Sequence, residues 1–341
     1  MALNSTFSYT TVVDFPAEVD FLVKCLFVLV SLSSFFLNGS IWYAVLRSST
    51  LKTATNYLLL NMCLAHMIGA FGIQPFVFMD YINTFNASLQ VKHMVCAITD
   101  GVWVYFVCSG VALASYCAVT HKRYLSITRF IQPSYFTTKF CIMLNALMWL
   151  IISVGCIPFW VSYKYSEVEH LCNREWGALN KQLSASVYYA LTLVLPLAFL
   201  LRSYIALILA IKKAKSVTRS VSMTRSTVLL RAKKVLQMLV LSFLVCWSPF
   251  FAYWAMSYFT QIFSQRKVLK LQLSRIAVLF TSLNCCLDPV INIWGSRELR
   301  LAIELHWKTI LKKTKLHVIG NLLRHCFSTR RGKIRVTTVS P

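Results

Sequence analysis

Leu283-Asn284-Cys285-Cys286-Leu287-Asp288-Pro289-Val290-Ile291-Asn292 sets a carboxylate, Asp288, and an imide, Pro289, inside an otherwise apolar run. Both are costly if that run lies in a membrane. A charge near the bilayer centre costs about 3 kcal/mol or more, and a proline inside a helix removes a backbone hydrogen bond and clashes with the preceding turn. A pair with that cost is kept for something other than stability.

The run is the last of seven. Of the 341 residues, 57% are hydrophobic and 13% charged, the balance of a membrane protein. Apolar stretches near or above the ~20 residues that cross a bilayer cover 21–46, 54–79, 95–120, 140–162, 186–211, 235–259 and 271–294. The sequence therefore predicts an all-α membrane protein: a seven-transmembrane helix bundle over 21–307, an extracellular N-terminal tail over 1–20, and a basic cytoplasmic tail over 308–341. No internal repeat or low-complexity tract stands out. The N-terminus lacks the basic region and cleavage site of a signal peptide, so the first helix is expected to serve as its own insertion signal.

A net charge of +24 suggests a nucleic-acid partner until its placement is read. Arg47 and Lys52 follow span 1, and Lys122, Arg123, Arg129 and Lys139 surround the 3–4 loop. Lys212, Lys213, Lys215, Arg219, Arg225, Arg231, Lys233 and Lys234 surround the 5–6 loop, and the tail from Arg297 to Arg335 is basic as well. Most of the basic residues thus share one side, and most acids fall on the other or at its membrane edge. The positive-inside rule places the N-terminus outside and the tail in the cytosol. Topology plus attraction to anionic membrane lipids accounts for most of this charge. No nucleic-acid partner is expected.

Cysteines and sequons agree with that orientation. All but three of the twelve cysteines lie in apolar segments, where free thiols pack as small apolar groups. Cys96 and Cys172 fall at the outer start of span 3 and in the outer 4–5 loop, an oxidising compartment where a disulfide between them is expected. Cys326, in the basic tail, is either a palmitoylation site or an unpaired thiol. Asn4-Ser5-Thr6 and Asn86-Ala87-Ser88 are glycosylation sequons on the outer side, whereas Asn38-Gly39-Ser40 lies inside span 1, out of reach.

Polar and proline positions narrow the class. Span 3 ends Lys122-Arg123-Tyr124, span 4 carries Trp149 and Pro158, and span 5 carries Pro196 and Tyr204. Span 6 holds Cys246-Trp247-Ser248-Pro249, and span 7 holds Asp288-Pro289-Val290-Ile291-Asn292. Asn38 lies in span 1, and Asn61 with Leu64-Ala65 in span 2. In this order over 21–307 the set resembles the rhodopsin-like G-protein-coupled receptors. The resemblance implies that Pro249 and Pro289 mark hinges, and that Trp247 beside the kink senses a ligand rather than merely filling the core. It also implies that outward swing of the inner half of span 6 opens a cytosolic cavity. Ser296 can cap a further helix over 296–307, with Leu299, Ile303 and Trp307 at helical spacing, lying on the inner membrane surface as an amphipathic eighth helix.

Three residues depart from the family's pattern. His66 stands in span 2 where the family has an aspartate that binds sodium. A neutral imidazole is a poor ligand for a hard cation and an imidazolium repels it, so sodium modulation is expected to be weak or absent. His66 is expected to face Asp288 as a compensated pair; the alternative is a neutral histidine bonded to Asn38 or Asn284. Lys122 replaces the acid that pairs with Arg123 in the inactive state, which leaves Arg123 freer and favours raised basal activity. Asn292 replaces the tyrosine that helps hold the active arrangement with Tyr204, which acts the other way. The separation from Cys96 to Arg123 is about two residues longer than usual, so a bulge or insertion is expected near the outer end of span 3, with a matching ambiguity in the pocket.

Where amine receptors carry an aspartate, counting back from Arg123 gives Tyr105 and counting forward from Cys96 gives Trp103. Neither is acidic; Asp100, about a turn higher, is the alternative counter-ion. Phe250, Phe251 and Trp254 join Trp247 as an aromatic wall that can hold a cation by its ring faces, or can simply line the pocket. Ser282 stands where opsins need a lysine, which excludes a retinal Schiff base. The 6–7 loop is basic, with Arg266, Lys267, Lys270 and Arg275, and attracts an acidic ligand or forms a solvated rim.

The leading functional expectation is a plasma-membrane receptor for an extracellular ligand that acts on a heterotrimeric G protein. The contacts would be Arg123, Lys212, Lys213, Arg231, Lys233 and Lys234. The runner-up is a non-coupling or arrestin-biased receptor of scavenger type. A transporter or channel needs several aligned intramembrane ionisable groups, and here His66, Asp288 and Arg202 stand nearly alone, with Arg202 able to snorkel inward. Paired carboxylates, metal-ligand spacing and a Gly-rich phosphate loop do not appear in either aqueous compartment. No enzymatic activity, metal or cofactor is expected.

Overall fold

A computed structural model of the chain describes residues 17–78, 87–99, 103–128, 137–167, 171–176, 180–217, 223–260, 262–263 and 267–314. The chain is nearly all helix, because a backbone in hydrocarbon must satisfy its polar groups within its own segment. Span 1 is α1 (Ala17–Arg47); span 2 is α2 (Ala54–Gly72), continued after a turn by α3 (Gln74–Phe78); span 3 is α4 (Leu89–Thr99) followed by α5 (Trp103–Thr128). Span 4 is α6 (Thr138–Val161). Span 5 is α7 (Lys181–Tyr189), a π-helical turn over Ala190–Val194, and α8 (Leu195–Val217). Spans 6 and 7 are α9 (Met223–Phe259) and α10 (Lys267–Gly295), and α11 (Arg297–Thr314) follows. Among the described residues, seven helical stretches are long and apolar enough to cross a membrane.

Local chemistry sets the boundaries. Thr53, Thr137 and Asn180 cap α2, α6 and α7 by accepting from the backbone N–H groups of Asn56, Phe140 and Leu183 at 3.3, 3.2 and 2.8 Å. Ser296 accepts from the Leu299 N–H at 3.3 Å and starts α11. Pro75 marks the break between α2 and α3, since it has no N–H to donate to the Phe71 carbonyl four residues back. In span 5, Pro196 follows directly on the π-turn, where the Leu195 N–H bonds to the Ala190 carbonyl; a proline has no N–H for the ladder, and a π-bulge is one way a helix absorbs the misfit.

Several limits differ from those expected from hydropathy. The helix of span 6 begins at Met223 rather than 235, and α11 runs to Thr314 rather than 307. Both extensions are rich in Lys and Arg, which are good helix formers but invisible to a search for apolar runs. Span 3 divides between α4 and α5, in the region where the Cys96–Arg123 spacing calls for extra residues; 100–102, Asp100 among them, lie outside the described residues.

Span 3 is central: 76% of its apolar window is buried, against 11% for span 4 and 22% for span 1. Chain approaches are tight around it. A Cβ on Gly110 would lie 2.8 Å from Cγ2 of Ile152 in α6. At one end of the bundle a hairpin pairs β1 (Tyr163–Ser166) with β2 (Leu171–Arg174), and a disulfide ties Cys172 of β2 to Cys96 of α4 with a Cα–Cα distance of 5.5 Å. The nine other described cysteines are free. At the opposite, basic end, α11 turns back onto α1: the His306 ring stacks on Tyr43 at 3.6 Å and Trp307 on Phe36 at 4.9 Å. Leu29, Leu32, Leu150, Val154 and Leu241 point outward, as a lipid-facing surface requires.

Candidate functional site

Two clusters stack along the bundle axis. Nearer the disulfide end lies a set of interlocked rings. Phe106 of α5 meets Tyr188 of α7 at 5.5 Å and Phe250 and Trp254 of α9 at 5.7 and 5.6 Å. Phe159 of α6 meets Trp254 at 5.1 Å, and Trp254 stacks on Tyr188 at 4.9 Å and on Tyr258 at 4.5 Å. Trp176, just after β2, closes the top against Phe159 and Tyr258 at 5.6 and 6.0 Å. Offset and edge-on contacts of this kind add to the burial of the rings themselves.

The four span-6 aromatics singled out in the sequence belong to this cluster: Trp247 touches Phe250 at 6.0 Å and Phe251 at 5.4 Å, and Phe250 touches Trp254 at 5.5 Å. The span-3 candidates separate. Tyr105 is buried, and its hydroxyl hydrogen-bonds Thr281 of α10, tying spans 3 and 7. Trp103 is only partly buried and turns to Trp160 of α6 at 5.6 Å. Phe106, Phe159, Trp176 and Tyr188 escaped the sequence reading because they come from α5, α6, the segment after β2 and α7 and converge only in the fold; Tyr258, one turn beyond Trp254 on α9, was missed as well. Ser282 donates to its own helix at the Val278 carbonyl, 2.8 Å away.

Below the rings lies a polar network built on the opening decapeptide. Pro289 cannot donate to the carbonyl four residues back, Cys285, and Asn38 of α1 donates to that carbonyl at 3.0 Å. The other carbonyls and hydroxyls are served in turn: Asn38 also donates to the Ser34 carbonyl at 2.8 Å, and Asn292 to the Asp288 carbonyl at 2.8 Å. The Asp288 carboxylate accepts from Asn284 at 2.7 Å, and the Asn284 carbonyl accepts from Ser242 of α9 at 3.0 Å. His66 Nε2 of α2 stands 3.8 Å from the same carboxylate oxygen. His66 therefore faces Asp288, while Asn38 and Asn284 are engaged elsewhere. Both members of the pair are more than nine-tenths buried, and burial favours the state in which the two together carry one proton and no net charge.

A cavity of about 10 Å³, bordered by His66, Ser109, Trp247, Thr281, Asn284 and Cys285, separates the clusters. It is at the lower limit for one water. Among the described residues no group of three or more His, Cys, Asp or Glu is placed to hold a metal ion.

A second network ties spans 2, 3 and 4. Asn61 donates to Ser115 at 2.8 Å and accepts from Trp149 Nε1 at 2.9 Å. Trp42 Nε1 adds span 1 by donating to the Leu60 carbonyl at 2.8 Å.

At the basic end, Lys122, which the sequence places at the inner end of span 3 beside the 3–4 loop, is 3% exposed. It lies on the third-span side of the 3–4 contact, within electrostatic reach of the buried Cys141 of α6. Tyr204 and Asn292 do not meet: the Tyr204 hydroxyl accepts from Gln237 of α9 at 2.7 Å. Lys212 and Lys234 are exposed. For Arg123, Lys213, Arg231 and Lys233 the helix is described but the side chains are not, and Asn4, Asn86 and Cys326 lie outside the described residues.

A model of the 7 transmembrane receptor (rhodopsin family) matches residues 37–291. The chain is 24% identical to pineal opsin of Petromyzon marinus over 77% of its own length and 58% of that protein. It is 22% identical to tachykinin-like peptides receptor 99D of Drosophila melanogaster over 79% of its length and 53% of that protein. With octopamine receptor beta-2R of Chilo suppressalis the identity is 20%, over 88% and 83%. The chain thus spans little more than half the length of the first two relatives. These relatives are receptors and not enzymes, in keeping with the sequence reading. The match covers well over half of the chain, in the order of spans that the structure shows, and the chain belongs to the seven-transmembrane receptor family of the rhodopsin type.

Proposed function

We propose that this chain is a plasma-membrane receptor, N-terminus outside, that senses an extracellular ligand at the ring cluster and activates a heterotrimeric G protein by movement of span 6. The observation that carries the reading is the continuity of α9 through Pro249. One end of this helix contributes Phe250, Phe251 and Trp254 to the cluster, and the other runs down to Lys234 and on to Met223. Pro249 leaves the Val245 carbonyl without its helical donor, which makes that turn the natural place to bend. From Pro249 to Met223 the helix extends ~39 Å, so a hinge of about 10° displaces the far end by ~7 Å. Trp247, between the kink and the small cavity, joins ring displacement above to the Ser242–Asn284–Asp288 network below.

On this reading Arg123, Lys212, Lys213, Arg231, Lys233 and Lys234 meet the G protein, and the basic tail meets anionic lipid, with Cys326 a candidate for palmitoylation. Asn4 and Asn86 are the candidate glycosylation sites. A retinal Schiff base is excluded, because Ser282 has no amine to form it. The test is exchange of a radiolabelled GTP analogue on purified G proteins of each major class, in membranes with and without the receptor. Receptor-dependent exchange on at least one class is expected.

A second reading has its own support. Asn292 bonds within its own helix and Tyr204 is held by Gln237 of span 6, so the contact that the family uses to hold its active arrangement is missing. A receptor of this kind recruits arrestin or internalises ligand without coupling. Arrestin recruitment with no exchange on any G protein would select it.

A further inference from the structure

Two indole N–H groups in the ring cluster, Trp247 Nε1 and Trp254 Nε1, are buried without a hydrogen-bond partner among the described residues, and so is the Ser257 hydroxyl one turn along the same helix. Their residues are 4%, 2% and 7% exposed. Indole N–H can only donate, and a buried donor left unpaired is unfavourable, so this wall calls for acceptors from whatever occupies the site. Among the described residues, the acids near it are already engaged. Asp288 is the only buried acid among the described residues, and it is already held below the cavity by Asn284 and His66. Asp20 is paired with Arg275 at 2.9 Å and Glu175 stands 3.8 Å from Lys164. The charge that does reach the cluster is positive: Lys181 Nζ lies 5.4 Å from the centre of the Tyr258 ring, at the outer mouth beside Trp176.

We propose that the ligand is non-basic: a molecule with a flat apolar body and oxygen acceptors, preferentially an aromatic carboxylic acid, whose body lies among the rings while its oxygens accept from the indole and serine donors and its charge meets Lys181. The inference rests on the reading of the ring cluster as the ligand site. A primary amine suits the site poorly. Its ammonium group brings three donors and no acceptor, so both indole N–H groups stay unpaired, and Lys181 repels it at the entrance. The ring faces attract a cation, but they offer an aromatic body the same stacking without that mismatch. The rings already touch one another, so the ligand enters by turning them aside, and Trp254, which stacks on two neighbours, is the ring whose displacement reaches Trp247 through Phe250.

The full-length receptor in lipid nanodiscs is challenged with matched sets of carboxylate, primary amide and amine on phenyl, indole and naphthyl skeletons, with melting temperature followed by circular dichroism. Carboxylates and amides of at least one skeleton raise the melting temperature, and the amines do not. Affinity for the best carboxylate falls roughly fivefold in Trp254→Phe, which keeps a ring and removes one donor, and the preference for acid over amide disappears in Lys181→Gln. Stabilisation by amines alone, no stabilisation by any compound, or unchanged affinity and preference in both variants overturns the proposal. Lys181→Gln, at a half-buried position at the start of α7, serves the test should Trp254→Phe not fold. Binding of acids without nucleotide exchange on any G protein would sink the signalling function and leave this inference standing. Exchange driven by amines alone would do the reverse.

Discussion

Gly295, the last residue of α10, lies against Val235 of α9 at the basic end of the bundle. A Cβ built on Gly295 would be 2.9 Å from Val235 Cγ2 and 3.2 Å from Cγ1, where ordinary contact begins near 3.4 Å. Gly295→Ala therefore drives a methyl group about half an ångström too deep into a β-branched side chain that is 5% exposed and has little rotamer freedom. Overpacking of this kind costs about 1–3 kcal/mol. The strain exists only while span 6 is closed on span 7, so an arrangement with α9 swung outward escapes it. Every ~1.4 kcal/mol is tenfold in an equilibrium, so the ratio of open to closed receptor should rise between roughly fivefold and a hundredfold. The assay is ligand-free GTP-analogue exchange normalised to surface receptor, for wild type, Gly295→Ala, Val235→Ala and the double variant. Basal exchange should rise in Gly295→Ala and fall back in the double variant, where the clashing methyl groups are gone, with a coupling of at least ~1 kcal/mol between the two sites. Basal exchange that stays flat or falls in Gly295→Ala at normal surface level refutes the mechanism, and so does a double variant as active as the single one.

Other perturbations test separate parts of the molecule. Replacing Cys96 or Cys172 with Ser opens a link across 76 residues and should cost about 2–5 kcal/mol, seen as lost surface expression and a lower melting temperature; a reductant that leaves wild-type stability unchanged would count against the bond. Exchange of sodium for N-methylglucamine should leave wild-type signalling unchanged, because an imidazole stands beside Asp288 and the buried pair carries no net charge to attract a cation, whereas His66→Asp sets two carboxylates beside the small cavity and should make basal exchange fall with sodium. A wild-type response to sodium would contradict the compensated pair. At the basic end, partial burial first and the Arg47 guanidinium second hold the His306 imidazole below its usual value. The unfolded or undocked helix then takes up the proton before the docked one, so docking of α11 on Tyr43 is at full strength above about pH 6.5 and weakens on acidification. Hydrogen exchange in α11, corrected for intrinsic rates, should speed up between about pH 7.5 and about pH 5.5, and His306→Gln should remove that dependence.

The number and order of the spans were legible because membrane insertion writes them as runs of about twenty apolar residues. What hydropathy could not show was structure built from polar helix formers. The approach to span 6 and the end of α11 carry Arg231, Lys233, Lys234, Lys312 and Lys313, and both helices overran the limits drawn from apolar residues. The site was legible along single helices and not between them. Trp247, Phe250, Phe251 and Trp254 share one face of α9 and could be found together; Phe106, Phe159 and Tyr188 reach the cluster from other spans and Trp176 from the segment after β2, and no periodicity marks such a convergence. The burial of Lys122 is of the same kind: a lysine at a helix end carries no mark of burial in the sequence, and it is 3% exposed in the fold.

The cost first seen at Asp288-Pro289 is met from other helices, and the manner of its offset bears on how the bundle can move. Asn38 takes over the carbonyl that Pro289 abandons, His66 and Asn284 surround the carboxylate, and Ser242 closes the chain from span 6. Spans 1 to 4 are joined by their own bonds through Trp42, Asn61, Ser115 and Trp149, none of which involves span 6. Span 6 is tied through Ser242 to Asn284 and through Gln237 to Tyr204, each worth about 1 kcal/mol net. A bundle so divided has a half braced by side-chain hydrogen bonds and a half in which span 6 is held by ring contacts and exchangeable hydrogen bonds. Moving α9 breaks the Ser242–Asn284 bond but leaves Asn284 on Asp288 and Asp288 opposite His66, so the motion exposes no new unpaired group at the carboxyl. A polar core that survives the motion lets the two arrangements lie within a few kcal/mol of each other, the range in which a ligand's preference for one of them can be read at the other end of the helix.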